Sequence, residues 1–191
     1  MKCCNPGGAW QQIRIFLAEA FAAGFVLFPC YLLQPSDQNA PLYAAIAIGC
    51  SVFCAIWIVF PVSGAQINPV VTLAVLITRR INLLQALLYW SAQFTGSMIG
   101  LVLGKYLTPS TSIDTELFGM SLPAPGVNNC QATVVELLAT FTLVISVLAS
   151  LDEHRPQGWR LETGMALATT VMVLFFVNIL ITVSRRAVFQ L

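Results

Sequence analysis

Long apolar runs alternate with short polar links along this chain. The runs cover residues 12–33, 42–60, 83–107, 133–151 and 161–183. Each is close to the roughly 20 residues that an α-helix, rising about 1.5 Å per residue, needs to cross a bilayer. The links at 34–40, 108–129 and 152–160 are polar, and no strand-like alternation competes with the helix reading. A further apolar stretch, 69–78, is only about half a span. Its length predicts a re-entrant half-helix rather than a crossing.

The half-span is introduced by a polar cluster inside otherwise apolar sequence, "FPVSGAQINPVVTLAVLITRR", with Ser63, Gly64, Gln66, Asn68 and Pro69 close together. Pro69 lacks an N–H and has a preset φ, so it suits the first turn of a helix, and Asn68 before it is a good N-cap. A half-helix starting there would hold its positive end near the bilayer centre and finish at Arg79 and Arg80, two cations at its negative end. Ser63, Gly64 and Ala65 are small enough for the incoming loop to pass close to neighbouring helices. Non-helical backbone at this depth is tolerated only inside protein or along a watery cavity. The alternative is a kinked sixth helix in which Asn68 caps the break.

Composition agrees with a lipid solvent. Of 191 residues, 58% are hydrophobic and 9% charged, against about 25% charged in an ordinary soluble domain. Mean hydropathy is +0.82. A net charge of +1 gives no reason to expect a nucleic-acid partner. The first apolar run is too long for a cleavable signal and lacks a small-residue cleavage site, so it reads as a signal anchor. Lys2 and Arg14 flank the first run, Arg79 and Arg80 precede the third, and Arg155 and Arg160 precede the fifth, whereas 34–40 and 108–129 hold no Lys or Arg. The positive-inside bias then places the amino terminus in the cytoplasm. Arg185 and Arg186 in the tail go against this pattern, as a missing sixth crossing would explain.

The motif "SGAQINPVVTLAV" resembles the first signature of the aquaporin, or major intrinsic protein, family, S-G-A-x-x-N-P-A-V-T. Glu19 in "FLAEAF" and Glu136 in "VVELLATF" resemble that family's buried glutamates on the first and fourth spans, and "QALLYWSAQFTGSMIG" resembles its third span. The resemblance runs from about Ile13 to Val177. It implies an all-α integral membrane bundle, here with five transmembrane helices and one re-entrant half-helix, forming a single domain over 1–191 with an atypical tail at 178–191. It implies a passive channel for water and small neutral solutes such as glycerol, homo- or hetero-oligomeric after the family's tetramer, without cofactor or metal. The expected setting is the plasma membrane, with lipid as a partner. By the same resemblance the pore constriction takes Asn68, Pro69 and Val70, with Ile48 at the outer constriction and Phe175 at the equivalent fifth-span position.

The sequence also departs from that family. Val70 stands where the usual motif has Ala, adding methyls at the pore centre. Ile48 stands where many water-selective members have an aromatic residue, pointing to a wider or less polar outer constriction. The offset between Glu19 and Glu136, carried over from Asn68, falls on Arg185, where no second Asn-Pro occurs. The expectation is a chain truncated before the second half-helix, its selectivity arginine and the sixth span. Two function classes follow: a channel, or a pore-incomplete variant that conducts poorly alone and acts by assembling with full-length relatives. A membrane enzyme is disfavoured, because His154 is the only histidine and no nucleophile–base pair or metal cluster is present.

For Glu19 and Glu136 the choices are a proton relay or, as the family suggests, acceptance of backbone N–H groups from re-entrant loops. Gly96, Gly100 and Gly104 repeat as small-xxx-small and predict close helix packing. Cys50 and Cys54, four apart, are expected as small buried residues rather than ligands. Cys3 and Cys4 are candidates for palmitoylation; Cys30 and Cys130 both fall near the outer face, and a disulfide between them is disfavoured.

Overall fold

The computed structural model describes residues 8–32, 40–107 and 127–152. It is all-helical among these residues: α1 (Ala9–Leu32), α2 (Ala40–Ser63), α3 (Pro69–Ile77), α4 (Leu83–Leu107) and α5 (Asn129–Ser150). Four are long and apolar enough to cross a membrane, namely α1, α2, α4 and α5. The apolar run at 161–183, the tail at 178–191 and Phe175 lie outside the described residues. Helix α2 extends beyond its apolar run, continuing through Pro61 to Ser63, whereas α4 coincides with the run 83–107. Helix α5 starts at Asn129 because Asn128 and Gln131 form a reciprocal capping box, with Gln131 N–H on Asn128 Oδ1 at 2.8 Å and Asn128 N–H on Gln131 Oε1 at 3.0 Å. Asn82 and Gln85 make the same reciprocal pair at the head of α4.

The α1–α4 crossing is the most extensive helix–helix contact among the described residues. Gly24 lies against Gly96 and Gly100, and Gly96 lies against Ala20. Residue numbers rise together along both helices, so α1 and α4 run parallel. A Cβ placed on Gly96 would stand 2.6 Å from Ala20 Cα, and one on Gly100 would stand 2.8 Å from Gly24 Cα. No real Cβ fits at such distances, so glycine is a condition of the crossing. The buried face of α4 continues through Gln85, Ala86, Tyr89, Ala92, Gln93 and Gly104. Leu84, Leu87, Phe94, Met98, Ile99 and Val102 face outward. Small and polar residues inside, with large apolar ones outside, is the arrangement that a lipid solvent favours.

Helix α3, nine residues long, is too short to span. It ends in a Schellman-type cap: Arg79 takes φ 57°, its N–H reaches Leu76 O at 2.9 Å, and Arg80 N–H reaches Val75 O at 3.0 Å. The Arg80 guanidinium then donates to Leu151 O at 3.0 Å, joining the carboxyl ends of α3 and α5. Cys50 and Cys54, expected inside, are exposed on α2. They share the outward side of that helix with Ile46, Trp57 and Ile58, where a small apolar thiol is as compatible with lipid as with a core.

Replacing Gly96 with Ala should destabilise the bundle by about 1–3 kcal/mol, the usual range for overpacking. The thermal midpoint of the purified chain in detergent would report this, with Gly8→Ala, where a Cβ meets nothing within 4 Å, as the neutral comparison.

Candidate functional site

The segment between α2 and α3 is where the backbone leaves helical geometry. Gly64 takes φ 84°, Ala65 52° and Ile67 57°. Asn68 N–H turns back onto Gln66 O, two residues earlier, which makes a γ-turn about Ile67. Positive φ is rare for a β-branched residue, and each such position costs about 1–3 kcal/mol unless its surroundings over-determine it.

Glu19 supplies those surroundings. Fully buried on α1, it accepts from four donors. Ser63 Oγ lies 2.6 Å and Gln66 N 3.0 Å from Oε1; Ile67 N lies 2.7 Å and Gln93 Nε2 3.0 Å from Oε2. Three donors therefore come from the loop and its entry, and the fourth comes from α4. Gln93 Nε2 also reaches Thr72 Oγ1 at 3.0 Å, tying α4 to α3. Tyr89 donates its hydroxyl to Ser63 O, and the Trp90 indole donates to Pro69 O at 3.0 Å. The Oε1 atoms of Gln66 and Gln93 are buried without a hydrogen-bond partner among the described residues.

This mesh fixes the start of α3. Asn68 is its N-cap, with φ −125° and ψ 129°, and Asn68 Oδ1 accepts from Val70 N at 2.8 Å. With Oδ1 committed, Nδ2 is the amide's remaining donor group, and it has no partner among the described residues. Asn68 and Pro69 are half-buried, while Val70 is 42% exposed. Glu19 is ten residues into α1 and Gln93 ten into α4, about 15 Å from the ends of these helices at Ala9 and Leu83. The loop thus lies deep between the helices. The five-residue link 78–82 then brings the end of α3 back to the head of α4.

The structure brings Glu19, Asn68, Pro69 and Val70 together, with Gly96 and Gly100 forming the crossing beside them. Ile48 stands apart. It is half-buried against the core cluster, 15 residues before the end of α2, or about 22 Å along the helix. Glu136 is exposed on α5, not buried. Of the described helices, α5 packs only on α3. In the sequence Gln93 stands out only as part of a family-like span, and Tyr89, Trp90 and Thr72 do not stand out at all. The signal that could have found the first two is the spacing Gln85–Tyr89–Gln93, which places three polar-tipped side chains on one face of an apolar helix.

A half-helix led by Asn-Pro, entering between long apolar helices, defines a multi-pass integral membrane protein with a re-entrant segment. Residues 8–185 match the major intrinsic protein family, and the chain belongs to that family. It is 38% identical over 144 residues to "Aquaporin-8" of Botryotinia fuckeliana (strain B05.10), covering 73% of this chain and 43% of that relative. It is 35% identical over 142 residues to "Aquaporin-1" of Ovis aries, covering 74% and 51%, and 33% identical over 156 residues to "Aquaporin-6" of Rattus norvegicus, covering 80% and 56%. The chain spans about half the length of the curated relatives it matches.

Glu19→Gln would set an amide N–H₂ among four donors, leaving at least one buried donor unmatched. A loss of about 1–3 kcal/mol is expected for each group so orphaned. Denaturant titration in detergent, following helix content, checks this.

Proposed function

We propose that this chain lines a passive transmembrane pathway for water and small neutral solutes, with Asn68 as the polar contact at its narrowest level. The observation that carries the reading is the Asn68 Nδ2, without a partner among the described residues, at the amino end of the half-helix, on a loop where Glu19 takes up the Gln66 and Ile67 N–H groups. A water oxygen passing there would accept from Nδ2. The partial positive charge at the start of α3 opposes a cation at the same point, and Arg79 and Arg80 offset the negative charge at its other end. Pro69 preserves the first turn, and Val70 presents an apolar wall beside the amide, so that a solute meets one donor against hydrocarbon. Ile48 and Phe175 would line the pathway farther out. Arg79 and Arg80 support a cytoplasmic amino terminus through the positive-inside bias. The outward apolar faces of α4 and α5 fit lipid or neighbouring copies in a tetramer, and the plasma membrane is the proposed location.

Stopped-flow swelling of proteoliposomes holding the 191-residue chain tests the reading. Water permeability above that of empty liposomes is expected, falling toward the empty-liposome value with Asn68→Leu, which removes the donor and adds bulk. Pro69→Ala should reduce it less. Swelling equal to empty liposomes would rule out conduction by this chain alone. Restoration on co-reconstitution with a second family member would then favour action by assembly.

A further inference from the structure

Two adjacent aromatic residues bracket the non-helical loop. Tyr89 binds the last carbonyl of α2, at Ser63, and Trp90 binds the first carbonyl of α3, at Pro69. We propose that Trp90 is a positioning residue that sets the direction of the Asn68 amide through its bond to Pro69 O.

A carbonyl has two lone pairs, so the indole N–H adds to the ladder of α3 rather than replacing part of it. It therefore costs the helix nothing and constrains its rotation. The other end of α3 is already held by Arg80 on Leu151 O. A rod fixed at one end swings at the other, and the swinging end here carries Asn68. Glu19 holds Gln66 and Ile67, but its bonds stop one residue short of Asn68. Thr72 is reached from Gln93, on the turn after Pro69. Among the described residues, Trp90 is thus the side chain from another helix that binds the backbone of the Asn68–Pro69–Val70 start directly. Because Asn68 Oδ1 is tied to Val70 N–H, any rotation of this turn carries Nδ2 with it. An indole is well matched to this role. Its body is half-buried against the bundle, and its only polar atom is a donor that a buried Trp needs to match.

The inference rests on the proposed pathway only for its consequence in conduction; the positional claim stands apart and is tested by itself. The 191-residue chain in lipid nanodiscs, labelled with ¹⁵N at asparagine and valine, reports the Asn68 side-chain amide and the Val70 N–H by NMR. The comparison is with Trp90→Phe and with a chain carrying benzothienylalanine at position 90, which keeps the indole outline and replaces N–H with sulfur. Loss of one neutral hydrogen bond should raise the displaced population about two- to tenfold. Both altered chains should then show exchange broadening of the Asn68 amide and Val70 solvent exchange faster by about the same factor, with helix content unchanged. If Trp90→Phe loses helix content, the sulfur isostere alone decides. Resonances unmoved in the isostere would overturn the proposal, since ring bulk and not the N–H would then be what matters. If the unaltered chain does not conduct but these resonances respond, the pathway reading fails and the positioning role stands.

Discussion

Backbone that is neither helix nor strand has nowhere in hydrocarbon to place its N–H groups, and each one left bare costs several kcal/mol. The turn at 64–68 meets this constraint chiefly with one carboxylate. Glu19 takes two consecutive loop N–H groups and the hydroxyl that closes α2, while Ser63 Oγ accepts from Ala65 N at 3.1 Å. The positive φ at Ile67 is held by the 2.7 Å bond to the same carboxylate. Without an acceptor at that depth the half-helix would have no starting point, and 69–77 would have to continue α2 or leave the membrane. The carboxylate is matched by dipoles: four donors surround it, and the two cations of the α3 cap, Arg79 and Arg80, lie at the far end of that helix.

The glycine crossing is what places that carboxylate. Because α1 and α4 meet backbone to backbone at Gly24, Gly96 and Gly100, Glu19 and Gln93 come within hydrogen-bonding distance a turn below the contact. The polar mesh and the close packing are therefore one construction. Larger residues at the crossing would separate Gln93 from Glu19 and loosen Thr72, the link from α4 into α3.

Much of the architecture was legible in residue order, because a bilayer imposes so few solutions. Run lengths gave α1, α2, α4 and α5, and Asn68–Pro69 gave the start of α3, where a cap and a proline agree. The head of α5 was less legible, since Asn128–Gln131 extends that helix into polar sequence that hydropathy discounts, whereas α4 has the bounds of its apolar run. The acceptor role of Glu19 toward the loop came from family resemblance; nothing in the spacing from 19 to 67 encodes it. Glu136 shows the limit of that route, because the same residue type at the corresponding place is exposed among the described residues. The aromatic bracket at Tyr89 and Trp90 was hidden for a different reason. In an apolar helix these residues read as bulk, and their single polar atoms gain meaning only when carbonyls at Ser63 and Pro69 arrive opposite them.

The distribution of Glu19's partners along the chain has a consequence for biosynthesis. A ribosome delivers α1 to the membrane before any of its hydrogen-bond donors exist: Ser63 follows 44 residues later and Gln93 follows 74 later. An ionisable side chain near the middle of a span is among the most expensive residues to leave in lipid. The first helix is thus an incomplete object when it emerges, one that settles fully only after the third long helix has been made. The polar partners that satisfy its carboxyl group thus all come from segments made after it.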